Sequence, residues 1–407
     1  MGHRARHGIA MKTKHFDPER GQAASASVNI TDDDTPKIPA NGYTITDLGD
    51  TTHTSTYAAA INNAAGAQVA GSFVPLGSPS GYYRAFQWST AGFTDIVPPP
   101  GTGLQYFMAA SGLNNSGWTV GYGFDQSGNP PFYWLWNGVN TITLQKPTPN
   151  QFSVDPAYGP RAINDANWIV GAAKNSQFGV YRAIRWDAGG SFVFLGGLSG
   201  NESLSAFAWA MSSGTVGHRV AGESRFDLNV NAVTTAYHAF RTRVGTQPLP
   251  VIDSGDLGNS PASETSSSGA YAINNLFEIV GYSASSATEM RAAYKDGNSG
   301  KHKGWRILGV LPGGAGAGLS AQALGMSDVG LIVGWSRTAT TGNGNPKAVV
   351  WENYQSPVAT DLNLKIPVAD RANWSLQYAT GINATGRIVG YGLKSGVQRA
   401  FLLTPVP

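Results

Sequence analysis

The sequence predicts an all-β chain folded as a seven-bladed β-propeller, with four antiparallel strands in each blade. Three observations predict it. A motif of the form AIN..G.IVG recurs seven times, and an aromatic, alternating segment follows each copy. A third element follows the first six copies but not the seventh, and its missing copy stands ahead of the first repeat.

The first element reads AINNAAGAQVAGS at 60–72, GLNNSGWTVGYG at 112–123 and AINDANWIVGAA at 162–173. It continues as AMSSGTVGHRVAGES at 210–224, AINNLFEIVGYS at 272–283, GMSDVGLIVGWS at 325–336 and GINATGRIVGYG at 381–392. Its closing glycines, Gly71, Gly121, Gly171, Gly222, Gly281, Gly334 and Gly390, set a period in the range of propeller repeats. "AIN" ends one strand (A), the Asn-rich stretch makes a turn, and "IVG" opens the next (B). Ile and Val face opposite sides of strand B, and both sides are covered when a blade is sandwiched between two others. The Asn can hydrogen-bond its own turn, and the terminal Gly lets a neighbouring ring come close.

The second element is strand C: YRAFQW (83–88), PFYWLW (131–136), YRAIRW (181–186), YHAFRT (237–242), MRAAYK (290–295), PKAVVW (346–351) and QRAFLL (398–403). The third is strand D, as in FTDIV (93–97), NTITL (140–144) and ATDLNL (359–364). The seventh D strand is YTITDLG at 43–49, so the ring closes by pairing 43–49 with 399–405. A lone four-stranded sheet would expose two apolar faces and an edge; closing seven in a ring hides the faces. No long segment sustains a helical period.

Composition agrees and excludes several classes. Hydrophobic residues are 41% and aromatics 11%, enough for a core, whereas charged residues are 13%, about half the usual share. A net charge of +3 without a basic stripe argues against nucleic-acid binding. With no Cys there is no disulfide, Cys-zinc site or thiol nucleophile. No apolar run is long enough to span a bilayer, and residues 1–41 lack the apolar stretch of a secretory signal and read as a flexible leader to a single domain over 42–407.

The paired motifs resemble the HAF-repeat family of predicted extracellular bacterial proteins, through His238-Ala239-Phe240 and the "RAF" at 84–86 and 399–401. The resemblance covers 43–405 and implies export and a surface or matrix role, with no common enzyme activity. The closing FLLTPVP looks like the lead-in to a Pro-Glu-Pro sorting tail.

Motifs for a hydrolase elbow, zinc helix, Walker loop or calcium loop are absent, and no cofactor or metal is predicted. The cation opening strand C recurs as Arg84, Arg182, His238, Arg291, Lys347 and Arg399, beside Tyr83, Tyr181 and Tyr237. One reading is a cationic ring for an acidic polysaccharide; the other is repeat maintenance, the cations bonding carbonyls or the Asp of strand D, such as Asp47, Asp95 or Asp361. Trp118 and Trp168 occupy equivalent turn positions and fit either a sugar platform or cover for a hydrophobic edge. Residues that occur once in the pattern are His53, Tyr106, Asp125, His218, Glu223, Arg225, Tyr237 and Arg241. A base from His53, His218 or Tyr237 with Arg241 neutralising a uronate would make a polysaccharide lyase, if they converge. The sequence therefore leaves three functions open: a non-enzymatic extracellular or surface propeller that binds carbohydrate or another matrix component through its loop face, a carbohydrate-active enzyme, and a self-associating structural subunit.

Overall fold

The computed structural model describes residues 38–79, 82–99, 106–125, 132–145, 152–153, 158–175, 179–198, 204–213, 219–225, 236–242, 251–255, 267–284, 289–297, 304–313, 318–338, 346–352 and 358–407. They form seven sheets, each built on four antiparallel strands that we denote A to D. Blade 1 comprises His53–Ile61, Val69–Pro75, Arg84–Ser89 and Gly92–Ile96. Blade 2 is Tyr106–Leu113, Thr119–Asp125, Phe132–Trp136 and Thr141–Thr143. Blade 3 is Ala162–Ile163, Ile169–Asn175, Val180–Trp186 and Phe192–Phe194, with Phe152–Ser153 pairing the far end of its strand B. Blade 4 is Ala206–Met211, Val220–Arg225, Tyr237–Thr242 and Val251–Gly255. Blade 5 is Ser268–Ile273, Ile279–Ala284, Glu289–Lys295 and Trp305–Ile307, with Gly318–Leu319 also pairing parallel with its strand C. Blade 6 is Ala321–Met326, Ile332–Ser336, Lys347–Trp351 and Thr360–Asp361.

Blade 7 takes Trp374–Ile382, Ile388–Lys394 and Val397–Pro405 from the end of the chain and Tyr43–Asp47 from its beginning. The register runs from Tyr43 opposite Pro405 to Asp47 opposite Phe401, which is the expected seam. The folded unit reaches further back than residue 42: Ile38 is 7% exposed in the core beside Tyr43, and its N–H donates to Glu352 (2.8 Å). The remainder of the expected leader lies outside the described residues.

The apolar core is divided among the seams between blades. Seven clusters each join one blade to the next; the one closing the ring sets Ala58 and Val69 of blade 1 against Val389, Ala400 and Leu402 of blade 7. The closing glycines of "IVG" follow from this packing. A Cβ at Gly121 would lie 2.0 Å from the Ala109 carbonyl and 2.4 Å from the Trp134 ring, and at Gly390 1.9 Å from the Tyr378 carbonyl. Only Gly allows strands A and C to close on strand B there.

At the A–B turns the recurring Asn does more than cap its own turn. Asn114 Oδ1 accepts from the N–H groups of Ser116 (3.1 Å) and Trp118 (2.8 Å), while its Nδ2 donates to the Asn164 carbonyl of the next blade (3.1 Å). Asn383 Nδ2 crosses the seam to the Asn62 carbonyl (3.1 Å), and Asn62 Nδ2 reaches the Asn114 carbonyl (3.0 Å). The following residue forms a second clasp: Asn63, Asn115, Asp165 and Asp328 each accept a backbone N–H from an adjoining blade at 2.7–2.9 Å. One end of the ring is thus laced together by short polar side chains.

Candidate functional site

The strand-A pattern builds the site. Six of the seven A strands carry a bulge three residues before the turn Asn or Ser, as between Ala58 and Ala60, Ala110 and Gly112, Ala208 and Ala210, and Ala270 and Ala272. In blade 3 the same place is held by Arg161, whose N–H donates to the Val170 carbonyl (2.7 Å). A bulge leaves one residue out of the ladder and re-aims its side chain. Here that residue turns into the central channel: Ala59, Ser111, Arg161, Trp209, Tyr271, Leu324 and Thr380 all line a cavity of about 700 Å³. The flanking residues are Ala, Gly or Pro, which keeps the channel open.

Around this cavity aromatic rings pass from blade to blade. One arc runs from Trp335 through Tyr378, Tyr391, Tyr57, Tyr83 and Phe107 to Tyr122, at centroid spacings of 4.8–6.2 Å. The other runs from Tyr181 through Tyr158, Phe207, Trp209 and Tyr271 to Tyr282. Arg161 joins them, its guanidinium 5.9 Å from the Tyr122 ring and 5.1 Å from Trp209. Gln322 closes the remaining gap, accepting from Trp335 Nε1 (3.2 Å) and bonding the Tyr271 hydroxyl. Burial raises the Tyr57 and Tyr391 phenols to about 12, so both stay protonated donors at neutral pH.

Glu223 sits at the edge of the second arc, 9% exposed, accepting from the Tyr282 hydroxyl (3.0 Å). Gly269 makes room for it, since a Cβ there would lie 2.4 Å from Glu223 Oε2. Burial raises this carboxyl to about 7, against the opposing effect of the Tyr282 hydrogen bond. Glu223 is not among the residues lining the cavity.

The strand-C cations are engaged with the frame. Arg84 pairs with Asp95, Arg291 with Glu289 (3.0 Å), and the fully buried His238 with Asp253 (3.3 Å). Arg399 donates to the His53 carbonyl (2.9 Å) across the seam, Lys347 to Ser375 (3.4 Å), and Asp47 takes Lys394 (3.0 Å). Arg182 stands on strand C of blade 3 opposite Ala173. None of these cations lines the channel. Tyr83 and Tyr181 join the aromatic arcs, and Tyr237 lies 6.1 Å from Phe207 with Arg225 over its ring.

The described members of the lyase set, His53, Tyr237 and Arg241, do not converge. His53 is 7% exposed and wedged between Phe73 and Phe93 at 4.6 Å, where burial lowers its pKa. Tyr237 and Arg241 are four residues apart along one strand, about 13 Å; Arg241 bonds the Phe277 and Asp296 carbonyls instead (3.3 and 3.0 Å). His218 lies outside the described residues, as do the side chains of Tyr106 and Asp125. Trp118 and Trp168 are half-buried against inter-blade cores, Trp168 with the Arg185 guanidinium 3.7 Å from its ring centre. Among the described residues no group of His, Asp or Glu has the arrangement of a metal site.

The residues that do meet, Arg161, Trp209 and Tyr271, escaped the sequence reading because the bulge breaks the two-residue alternation. Their signal was a large or charged residue between two small ones, at the same distance before each turn.

No family model and no curated protein matches the chain. Among solved structures it is similar to a prolyl endopeptidase (13% identity, covering 80% of this chain and 43% of that one, TM-score 0.43). It is likewise similar to the sialidase of Trypanosoma rangeli (9%, 90% and 58%, TM-score 0.45) and to a polysaccharide lyase (11%, 91% and 99%, TM-score 0.48). The chain spans about half the length of the first two. Carbohydrate-active proteins are therefore among its structural neighbours, but these likenesses are of fold, and no activity passes from them. The propeller itself is established by the strand pairing of this chain.

Proposed function

We propose that this protein is an extracellular carbohydrate-binding propeller whose ligand enters the central channel. The observation that supports the reading is a set of five aromatic side chains, Tyr57, Tyr122, Trp209, Tyr271 and Tyr391, that line a cavity of about 700 Å³, a size suited to a short oligosaccharide. Tyr and Trp present flat apolar faces to a pyranose while their O–H and N–H groups bond its hydroxyls, at little entropic cost. The extracellular part of the reading rests on the HAF-repeat resemblance and the low charge content. No helix among the described residues is long and apolar enough to cross a membrane.

Binding is favoured over catalysis because the residue with a near-neutral carboxyl, Glu223, is withdrawn from the cavity wall, and His53 and Arg241 are spent on packing and frame bonds. The test is calorimetric titration with a panel of neutral and acidic oligosaccharides. At least one is expected to bind, and Trp209→Ala to weaken it about tenfold or more with unchanged circular dichroism. No binding across the panel, or full affinity in Trp209→Ala, would overturn the reading.

A further inference from the structure

We propose that the channel selects acidic sugars, with Arg161 as the residue that recognises their carboxylate. This rests on the carbohydrate-binding reading and narrows it to uronate-bearing chains. Arg161 is the only charged side chain among the described residues lining the cavity. Its placement is built in: blade 3 shortens strand A to Ala162–Ile163, Arg161 takes the bulge position, and its N–H is fixed to Val170.

The surroundings suit a carboxylated pyranose. The guanidinium lies between the Trp209 and Tyr122 rings, and Tyr271 follows Trp209 at 5.8 Å. A carboxylate in the plane of the guanidinium accepts two parallel N–H bonds, and the sugar ring attached to it then lies against Trp209 or Tyr122. Burial in the channel wall lowers the Arg161 pKa, which measures the cost of holding this charge away from water. A bound anion offsets that cost, because Coulomb attraction is stronger in a partly desolvated channel than in bulk water. Arg84, His238, Arg291 and Arg399, being committed to frame carboxylates and a carbonyl, do not supply this selectivity.

The experiment compares the affinity of the full chain for trigalacturonate and for its carboxyl-reduced counterpart, in which each carboxylate has become a hydroxymethyl group. Trigalacturonate is expected to bind at least tenfold tighter, with the advantage shrinking as salt is raised. Arg161→Gln is expected to remove the advantage while keeping the weaker binding of the reduced sugar, and Arg161→Lys to retain part of it. Equal affinities in the parent protein, or an undiminished preference in Arg161→Gln, would overturn this inference and leave the carbohydrate reading standing. Failure of both sugars to bind would overturn this inference, and the carbohydrate reading would then stand or fall by the wider oligosaccharide panel.

Discussion

The A–B turns and the channel wall beside them are built on different rules. At the A–B turns every blade repeats one solution: a buried Asn or Ser closes the turn, and in most blades it or the residue after it reaches into the adjoining blade. Three residues earlier on strand A the corresponding positions differ from blade to blade, as Ala59, Ser111, Arg161, Trp209, Tyr271, Leu324 and Thr380 show. A side chain required to join neighbours must recur, because each joint has the same geometry. One that faces an open channel is released from that constraint. The residues free to differ are the ones available for a ligand.

The sharpest way to break the comparison is at the laced end. Asn114→Ala removes two bonds within its turn, one to the Asn164 carbonyl and one to Asn167 Oδ1 (2.7 Å), all in a buried place. A loss of about 3 to 4 kcal/mol is expected, measured by chemical denaturation, since several buried groups lose their partners. A loss under about 1 kcal/mol would mean that the lacing is dispensable.

Glu223→Gln probes the aromatic belt and has the opposite sign. The folded carboxyl titrates at about 7 and an ordinary one at 4.5, so the folded state holds the proton more tightly. The stability this gives is complete below pH 4.5 and is lost as pH rises through about 7, a change of about 3 kcal/mol. Glu223→Gln is therefore expected to flatten the pH dependence of unfolding between 4.5 and 8 and to be the more stable protein at pH 8. A profile unchanged by the substitution would show that Glu223 does not bear this cost.

The smallest effect is expected at Phe277, where the repeating turn departs from its own rule. Its φ is +66°, at the place where Gly117, Gly330 and Gly386 stand in other blades with φ of +77° to +91°. Phe277→Gly relieves about 1 kcal/mol of backbone strain and is expected to raise the melting temperature slightly. A fall instead would show that packing of the ring under Arg219 outweighs the strain.

Much of the fold was legible because a repeat states its own geometry several times. The strands, the seven blades and the lent strand at Tyr43–Asp47 all follow from positions that recur. Of the candidate site little was legible. Arg84 and His238 recur with the repeat and turn out to be bound to Asp95 and Asp253. Tyr83 and Tyr181 were singled out and do belong to the aromatic belt, but their neighbours Phe107 and Phe207 come from other blades.

What the chain determined unaided was the ring, since burying two apolar faces per sheet admits few solutions and the displaced D strand selects one. What only the tertiary structure decided was the inside of that ring. The strand-A bulge reverses which residue faces the channel, and closure then gathers Tyr57, Arg161, Trp209, Tyr271 and Tyr391 from five blades around one cavity. No local pattern in any single repeat encodes that meeting, because it exists only when all the blades stand in a circle.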